Sequence, residues 1–354
     1  MTANIKHLYI HIPFCRSKCP YCDFFSIPNA SEDKKSSYIA AVIREFAHLS
    51  KLIAAPLETV YLGGGSPILL GQRNLSLILD AISPFTDPNT EKSIELNPEH
   101  VEEKMFSFDF NRVSLGVQTV DLNILKKIKR KYDLDKLIQN IKRIKQENIS
   151  LSLDFMFGLP GQGLKELKRD LDFIDEHRPD HVSFYLFTVP RDYEYVYECA
   201  PDELAEKMFH MIHNSMLKLG YGHYEISNYS LKSKECRHNM AYWERKSYLG
   251  LGAAAHSFLS DRKQRSWHAK DVEAYIKDPF SYEAQETLDS KMELNEKIML
   301  GLRLLDIGVE ETLLDGKDYL QFIKKGLIRA NNGQILLTEN GIPLLDCITA
   351  ELLS

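Results

Sequence analysis

Six short β-like runs punctuate the first two-thirds of the chain: His7–Ile12, Thr59–Leu62, Ser93–Leu96, Arg112–Leu115, Leu151–Phe157 and His181–Phe187. Amphipathic stretches separate them. The clearest is Asp133–Glu147, where Leu134, Leu137, Ile138, Ile141 and Ile144 fall on one helical face and Asp133 stands at the N-cap position. Similar patterning predicts helices over Glu32–Leu52, Gln72–Ser83, Leu122–Arg130, Gly163–His177 and Asp202–Leu219. A βα unit repeated six times implies a parallel sheet, open or partly closed into a barrel. In such sheets function gathers on the loops that follow the C-terminal ends of the strands.

After Gly220 the pattern is irregular to about Ser290, and the final stretch reads as a separate unit. A helix over Glu293–Leu305, a hairpin over Leu327–Thr338 turning at Asn331-Asn332-Gly333, and a last helix from Gly341 to Leu353 form a small winged-helix-like α+β module. The expected organisation is a barrel over 1–225, a connecting region over 226–290 and the C-terminal module over 291–354. Such modules bind DNA in some proteins, but a formal net charge of −6 favours packing or partner docking and argues against nucleic acid as a partner.

Composition is that of an ordinary globular chain, 44% apolar and 27% charged over 354 residues. The start, MTANIKHLYIHIPFC, has no signal-peptide layout, and 18 apolar residues never run together. Six cysteines are too few for a disulfide framework in a chain this long, which points to a reducing, cytoplasmic setting.

The cysteines are unevenly placed. Cys15, Cys19 and Cys22 lie within eight positions, whereas Cys199, Cys236 and Cys347 are scattered. On a helix the three would share a face, but Pro20 lacks the donor a continuing helix needs, so a loop following the first strand is expected. A loop can wrap three thiolates around three corners of a [4Fe–4S] cubane, leaving one iron with an open position. A zinc site is the rival; it would have to recruit Cys199, Cys236 or a histidine from far away.

CxxxCxxC followed by an aromatic resembles the radical S-adenosylmethionine (SAM) superfamily. The longer string YIHIPFCRSKCPYCDF is similar to the oxygen-independent coproporphyrinogen dehydrogenase group within it. The resemblance implies a partial (β/α)6 barrel and a C-terminal module of that group's type. It implies a cluster on Cys15, Cys19 and Cys22, with SAM chelating the open iron and Tyr21 near its adenine. It further implies SAM contacts from Tyr9, Gly64, Gly65, Ser66, Glu95, Gln118, Arg130 and Asp154, at the ends of successive strands. One departure stands out: the usual Gly-Arg-x-His reads Lys129-Arg130-Lys131-Tyr132 here.

Two features favour the heme-chaperone branch over the dehydrogenases. Phe24 occupies the place of a fourth cysteine in CxxxCxxCxC, and only fourteen residues precede Cys15. Cys236-Arg237-His238-Asn239-Met240-Ala241-Tyr242-Trp243 contains the branch's HNxxYW motif, and Tyr248–Ser257 also resembles it. The resemblance implies heme as cargo, with His238 as an iron ligand, Tyr242 and Trp243 as flat porphyrin surfaces and Cys236 as a second candidate ligand. The plain alternative is a core histidine among packing aromatics. It also implies delivery of heme to apo-proteins of the respiratory chain, and leaves room for a homodimer and for peripheral membrane contact. The enzymatic alternative is radical oxidative decarboxylation of coproporphyrinogen III to protoporphyrinogen IX; a third reading is an iron-sensing winged-helix regulator.

Overall fold

The computed structural model describes residues 4–188 and 196–353. Strand alternation decides its architecture. In β1 (His7–Ile12), Leu8, Ile10 and Ile12 are fully buried on one face, and Tyr9 and His11 project from the other. The same period of two recurs in β2 (Thr59–Gly64), β3 (Glu91–Leu96), β4 (Arg112–Gln118), β5 (Ser150–Phe157) and β6 (His181–Leu186). Each of these strands pairs in parallel with the next. Aliphatic side chains such as Val60, Ile94, Val113, Leu153 and Val182 fill the outer layer against the helices. The opposite face carries Tyr9, Tyr61, Glu95, Ser114, Asp154 and Ser183, a polar interior set by the register of the sheet.

The crossovers are α1 (Glu32–Leu49), α2 (Gly71–Ile82), α3 (Leu122–Lys127) with α4 (Leu134–Gln146), and α5 (Leu164–His177); α6 (Asp202–Lys218) follows β6. Asp133 caps α4 by accepting from the backbone N–H groups of Asp135 and Lys136, and Leu137, Ile141 and Ile144 are its buried stripe. The βα repeat is interrupted once. Between β3 and β4 the chain makes only two 3₁₀ turns, Pro98–His100 and Glu103–Ser107, because Pro98 opens the connection and no helical stripe follows it.

The region expected as an irregular connection, 226–290, belongs mostly to the same sheet. β7 (Gly222–Glu225) and β8 (Asn228–Ser230) add antiparallel strands beyond β6. After α7 (Arg237–Trp243), β9 (Tyr248–Leu251) pairs in parallel with β1. Strands β10 (His256–Leu259), β11 (Gln264–Trp267) and β12 (Ala284–Thr287) then continue antiparallel, with α8 (Val272–Lys277) inserted. The result is a twelve-stranded sheet ordered β12-β11-β10-β9-β1-β2-β3-β4-β5-β6-β8-β7. Runs of three or four residues are too short to show a period, which is why these strands read as irregular.

The last unit matches the expectation. α9 (Ser290–Gly301), β13 (Val309–Glu310), α10 (Leu320–Lys324), the hairpin β14 (Ile328–Asn331) to β15 (Gln334–Leu337), and α11 (Leu345–Leu353) form a winged-helix-like module. Its sheet is ordered β13-β15-β14. Asn332 and Gly333 both take positive φ, 50° and 77°, as a two-residue hairpin turn requires. No helix among the described residues is long and apolar enough to cross a membrane.

A buried polar knot ties the antiparallel extension to the barrel. Glu45 of α1, 1% exposed, lies 2.6 Å from His268 Nε2 and accepts from the Tyr275 hydroxyl and the Gly252 N–H. Tyr38, about two helix turns earlier, donates to the His11 carbonyl and receives the Ala253 N–H. Replacing Glu45 by Ala leaves several buried groups without partners, each costing about 1–3 kcal/mol. Thermal unfolding of Glu45→Ala should show a clear loss of stability, whereas a surface change such as Glu273→Ala should stay within about 0.5 kcal/mol of the parent.

Candidate cluster and cofactor site

Cys15 closes the two-residue segment Phe14–Cys15, which pairs in parallel with Ile27–Pro28 and so pins both ends of the cysteine loop. Within the loop the Cys22 N–H donates to the Cys19 carbonyl, and no helix forms, as Pro20 dictates. All three thiols are free and half-buried. Burial pushes the Cys22 thiol up, and the nearby Cys19 and Cys15 add to the effect. Arg130 Nη1 lies 3.8 Å from Cys19 Sγ, and the Tyr21 hydroxyl is buried beside that sulfur without a well-formed hydrogen bond. Three sulfur donors in one loop, with a guanidinium and an unpaired hydroxyl beside them, fit an iron–sulfur cluster, whose irons take cysteine sulfur ligands. Among the described residues, no three His, Cys, Asp or Glu side chains are disposed around a single metal ion.

The end of β2 lies directly under this loop. Gly65 N–H donates to the Ile12 carbonyl and Ser66 N–H to the Phe14 carbonyl, both at 2.8 Å. A Cβ on Gly65 would sit 2.4 Å from the Phe14 oxygen, and one on Gly64, whose φ is 108°, 2.6 Å from the His11 ring. The glycines are therefore required by the approach of the loop itself. Ser66 is buried and its hydroxyl lies 2.8 Å from His100 Nδ1. Its side chain is therefore engaged within the protein.

Glu95 accepts from the Tyr61 hydroxyl (2.8 Å) and the Gly64 N–H (3.0 Å). Burial nevertheless pushes its carboxyl up to about 7, with Asp154 adding to the rise. Such a carboxyl gains from a ligand ammonium. Asp154 is fully engaged by hydroxyls from Ser114, Ser152 and Ser183 at 2.5, 3.0 and 2.8 Å; burial raises its pKa and these bonds oppose the rise. Gln118 sits at φ 68° just after a bulge at the end of β4. Arg130 Nη2 donates to Asn97 Oδ1 and to the Gly116 carbonyl, both at 2.6 Å. It thus binds the cysteine loop to the ends of β3 and β4.

The Lys129-Arg130-Lys131-Tyr132 segment links α3 to α4 without helical structure. Lys129 itself adopts φ 54°, the conformation a glycine favours, and the Tyr132 hydroxyl donates to the Thr119 carbonyl. Tyr9, by contrast, sits lower in the interior with its hydroxyl 2.9 Å from His11 Nδ1.

The helix bearing the HNxxYW motif plugs the opposite end of the barrel. Glu91, at the start of β3, accepts from the backbone N–H groups of Arg237 and His238. His238 is 1% exposed, with Nδ1 2.6 Å from Thr59 Oγ1 and Nε2 2.9 Å from the Tyr242 hydroxyl. Its ring stacks on Tyr61 at 5.1 Å, and burial lowers its pKa to about 3. Both ring nitrogens of His238, the candidate heme ligand, are hydrogen-bonded within the protein, as in a satisfied core group. Cys236 is also buried, its thiol 3.8 Å from Glu91 and pushed up by burial to about 12. Tyr242 and Trp243 are half-buried and line a cavity on the outer side of α7.

Two groups of residues central to this geometry escaped the sequence reading. Tyr61 and the serines Ser114, Ser152 and Ser183 were legible only as interior positions of their strands. Asn97 carried a weak signal, two residues beyond Glu95.

The sequence profile of the radical SAM superfamily matches residues 9–174, which holds the cysteine loop and the strands just described. Heme chaperone HemW of Buchnera aphidicola subsp. Acyrthosiphon pisum is 34% identical over 265 residues, covering 72% of this chain and 70% of that protein. Heme chaperone HemW of Bacillus subtilis is 30% identical over 375 residues, covering 95% and 96%. Among solved structures, the coproporphyrinogen III oxidase HemN of Escherichia coli, described as a radical SAM enzyme, superposes with a TM-score of 0.83. The superposition covers 99% of this chain and 90% of that one at 18% identity, and so shows the shared fold. Fold and site define a radical SAM protein, a class that implies a [4Fe–4S] cluster and SAM. Within that superfamily the chain belongs to the HemW family.

Two outcomes follow from the geometry. His238→Ala removes two buried hydrogen bonds and should cost roughly 2–4 kcal/mol in chemical denaturation, as expected for a core residue. Glu95 is protonated more readily folded than unfolded, so its contribution to stability is present below about pH 4.5 and is lost as pH rises towards about 7. In SAM-free protein, Glu95→Gln should therefore gain on the parent across this window, by roughly 2 kcal/mol at its top, in melts recorded from pH 4.5 to 8.

Proposed function

We propose that this chain is a heme chaperone: it binds heme and delivers it to apo-proteins such as respiratory cytochromes. The observation that carries this reading is kinship along nearly the whole chain with a protein named heme chaperone HemW. Phe24, 60% exposed where the dehydrogenase pattern has a further cysteine, supports the same branch. The shared fold with HemN does not decide between them, because carrying heme and decarboxylating its precursor use one scaffold.

In this reading Cys15, Cys19 and Cys22 hold the [4Fe–4S] cluster, and Arg130 stabilises the sulfur charge at Cys19. SAM lies against the strand ends. Backbone of Gly64, Gly65 and Ser66 and the Glu95 carboxylate take its amino group, and Tyr9, Gln118, Arg130 and Asp154 shape the rest of the cradle. Bound there, cluster and SAM supply radical chemistry. The chain's own groups bind, orient and screen: the carbonyls of Ile12 and Phe14 are committed to β2, and the serine ring around Asp154 keeps the interior polar. Three free thiols in one loop need a reducing compartment, so we place the protein in the cytoplasm, meeting its acceptors at the membrane surface.

The test is anaerobic reconstitution followed by hemin titration, transfer to an apo-cytochrome, and a coproporphyrinogen assay with SAM on one preparation. Heme should bind and transfer without consumption of coproporphyrinogen, and Cys15→Ala/Cys19→Ala/Cys22→Ala should lose its iron and sulfide. Formation of protoporphyrinogen under reducing, oxygen-free conditions would assign the dehydrogenase activity instead.

A further inference from the structure

Tyr242 and Trp243 line a cavity of about 530 Å³ that the SAM site does not use. Its wall is one face of the antiparallel extension. Cross-strand register sets Tyr248 beside Phe258, Phe258 beside Arg265, and His256 beside Trp267, so these side chains emerge together. α7 and α9 close the other side. A second cavity of about 250 Å³ shares Tyr242, Tyr248 and His256 with the first and reaches Asp23 and Phe24, the two residues after Cys22. Lys270 lines it as well.

His256 stands where the two cavities meet, and it differs from the protein's core histidines. His7, His11, His100, His181, His238 and His268 all spend ring nitrogens on hydrogen bonds. His256 is exposed, stacks on Trp267 with ring centroids 5.5 Å apart at 17°, and has no hydrogen-bond partner among the described residues. Partial desolvation of the ring among its neighbours, with the charges of Arg265 and Lys270, lowers its pKa, which keeps a lone pair available at neutral pH. The Trp243 indole N–H is also without a partner.

Charge around the cavity is selective. Arg245 and Arg265 are held by Glu296, and Arg265 also by Glu286, so both are neutralised in place. Lys270 has no ion-pair partner among the described residues and is exposed. Flat aromatic walls, an uncommitted imidazole and a free cation are what a metalloporphyrin with carboxylate arms requires. The volume lies within the roughly 300–1,000 Å³ of ligand pockets, and the open mouth suits a cargo that must leave.

We propose that this cavity is the heme site, with His256 as the axial iron ligand, Trp267 as the ring that stacks on that imidazole and orients it, Tyr242 and Trp243 as porphyrin-facing walls, and Lys270 as the counter-ion of a propionate. The inference rests on the heme-chaperone reading above. It gives the HNxxYW motif a division of labour. The aromatic pair faces the porphyrin, and His238 is a positioning residue that holds the Tyr242 hydroxyl from below. It also puts heme beside the residues that follow Cys22, so the cargo site adjoins the cluster loop.

The test is titration of the anaerobically reconstituted full chain with hemin, read by Soret absorbance for affinity and by electron paramagnetic resonance for the axial ligand. His256→Ala should lose the imidazole signature and weaken hemin binding by at least about tenfold, the lower end of what disturbing a metal ligand's partners costs. Added imidazole should restore the signature. His238→Gln should keep the imidazole signature even where its affinity falls through release of Tyr242. Circular dichroism and cluster absorbance of His256→Ala should match the parent, since this side chain makes no buried hydrogen bond. Hemin binding by His256→Ala with the parent's spectrum and affinity would overturn the site while leaving the chaperone reading intact. A parent protein that binds no hemin would overturn both.

Discussion

Backbone contact between the start of the cysteine loop and the end of β2 is the constraint on which the site depends. The carbonyls of Ile12 and Phe14 are bonded to Gly65 and Ser66, and there is no room for a Cβ between them. That contact sets the height at which Cys15 leaves the sheet. Arg130 completes the frame from across the barrel, reaching Cys19, Asn97 and Gly116 with one guanidinium. A planar, five-donor head can serve three elements at once, which a lysine cannot.

The interior below this frame is polar and almost fully paired. Glu95 and Asp154 are carboxyls that burial makes reluctant to ionise, and each is surrounded by hydroxyl or amide donors from neighbouring strands. A preformed set of donors of this kind costs nothing to reorganise when a charged ligand arrives. From Glu95 the contacts run without a break through Tyr61 to His238 and then to Tyr242, which lines the outer cavity. The cradle at the top of the barrel and the aromatic cavity at its side are therefore built on one continuous set of side chains.

The antiparallel extension gives that cavity its wall, and α1 gives the extension its position. Glu45 and Tyr38 hold the Gly252–Ala253 turn and His268 from inside the protein. Gly250 allows the adjacent strand to close in, since a Cβ there would sit 1.9 Å from the His256 carbonyl. His256 is thus fixed at the backbone while its imidazole makes no hydrogen bond among the described residues.

Local sequence alone determined the six parallel strands, the Asp133-capped helix, the Asn332-Gly333 hairpin and the cysteine loop, because period, cap, turn chemistry and proline each act over a few residues. It also determined the superfamily, since three thiols at fixed spacing need no tertiary context. What tertiary structure alone decided was the role of residues whose partners lie far away in the chain. His238 is chemically competent to bind iron, but Thr59, 179 positions earlier, occupies its ring. Ser66 and Asp154 are likewise claimed by His100 and by three serines from separate strands. His256 lies in a stretch without a readable period, and only the register that sets it beside Trp267 shows an imidazole left unclaimed. A side chain's chemistry is written in its own letter, but whether it is free to act depends on what folding brings against it.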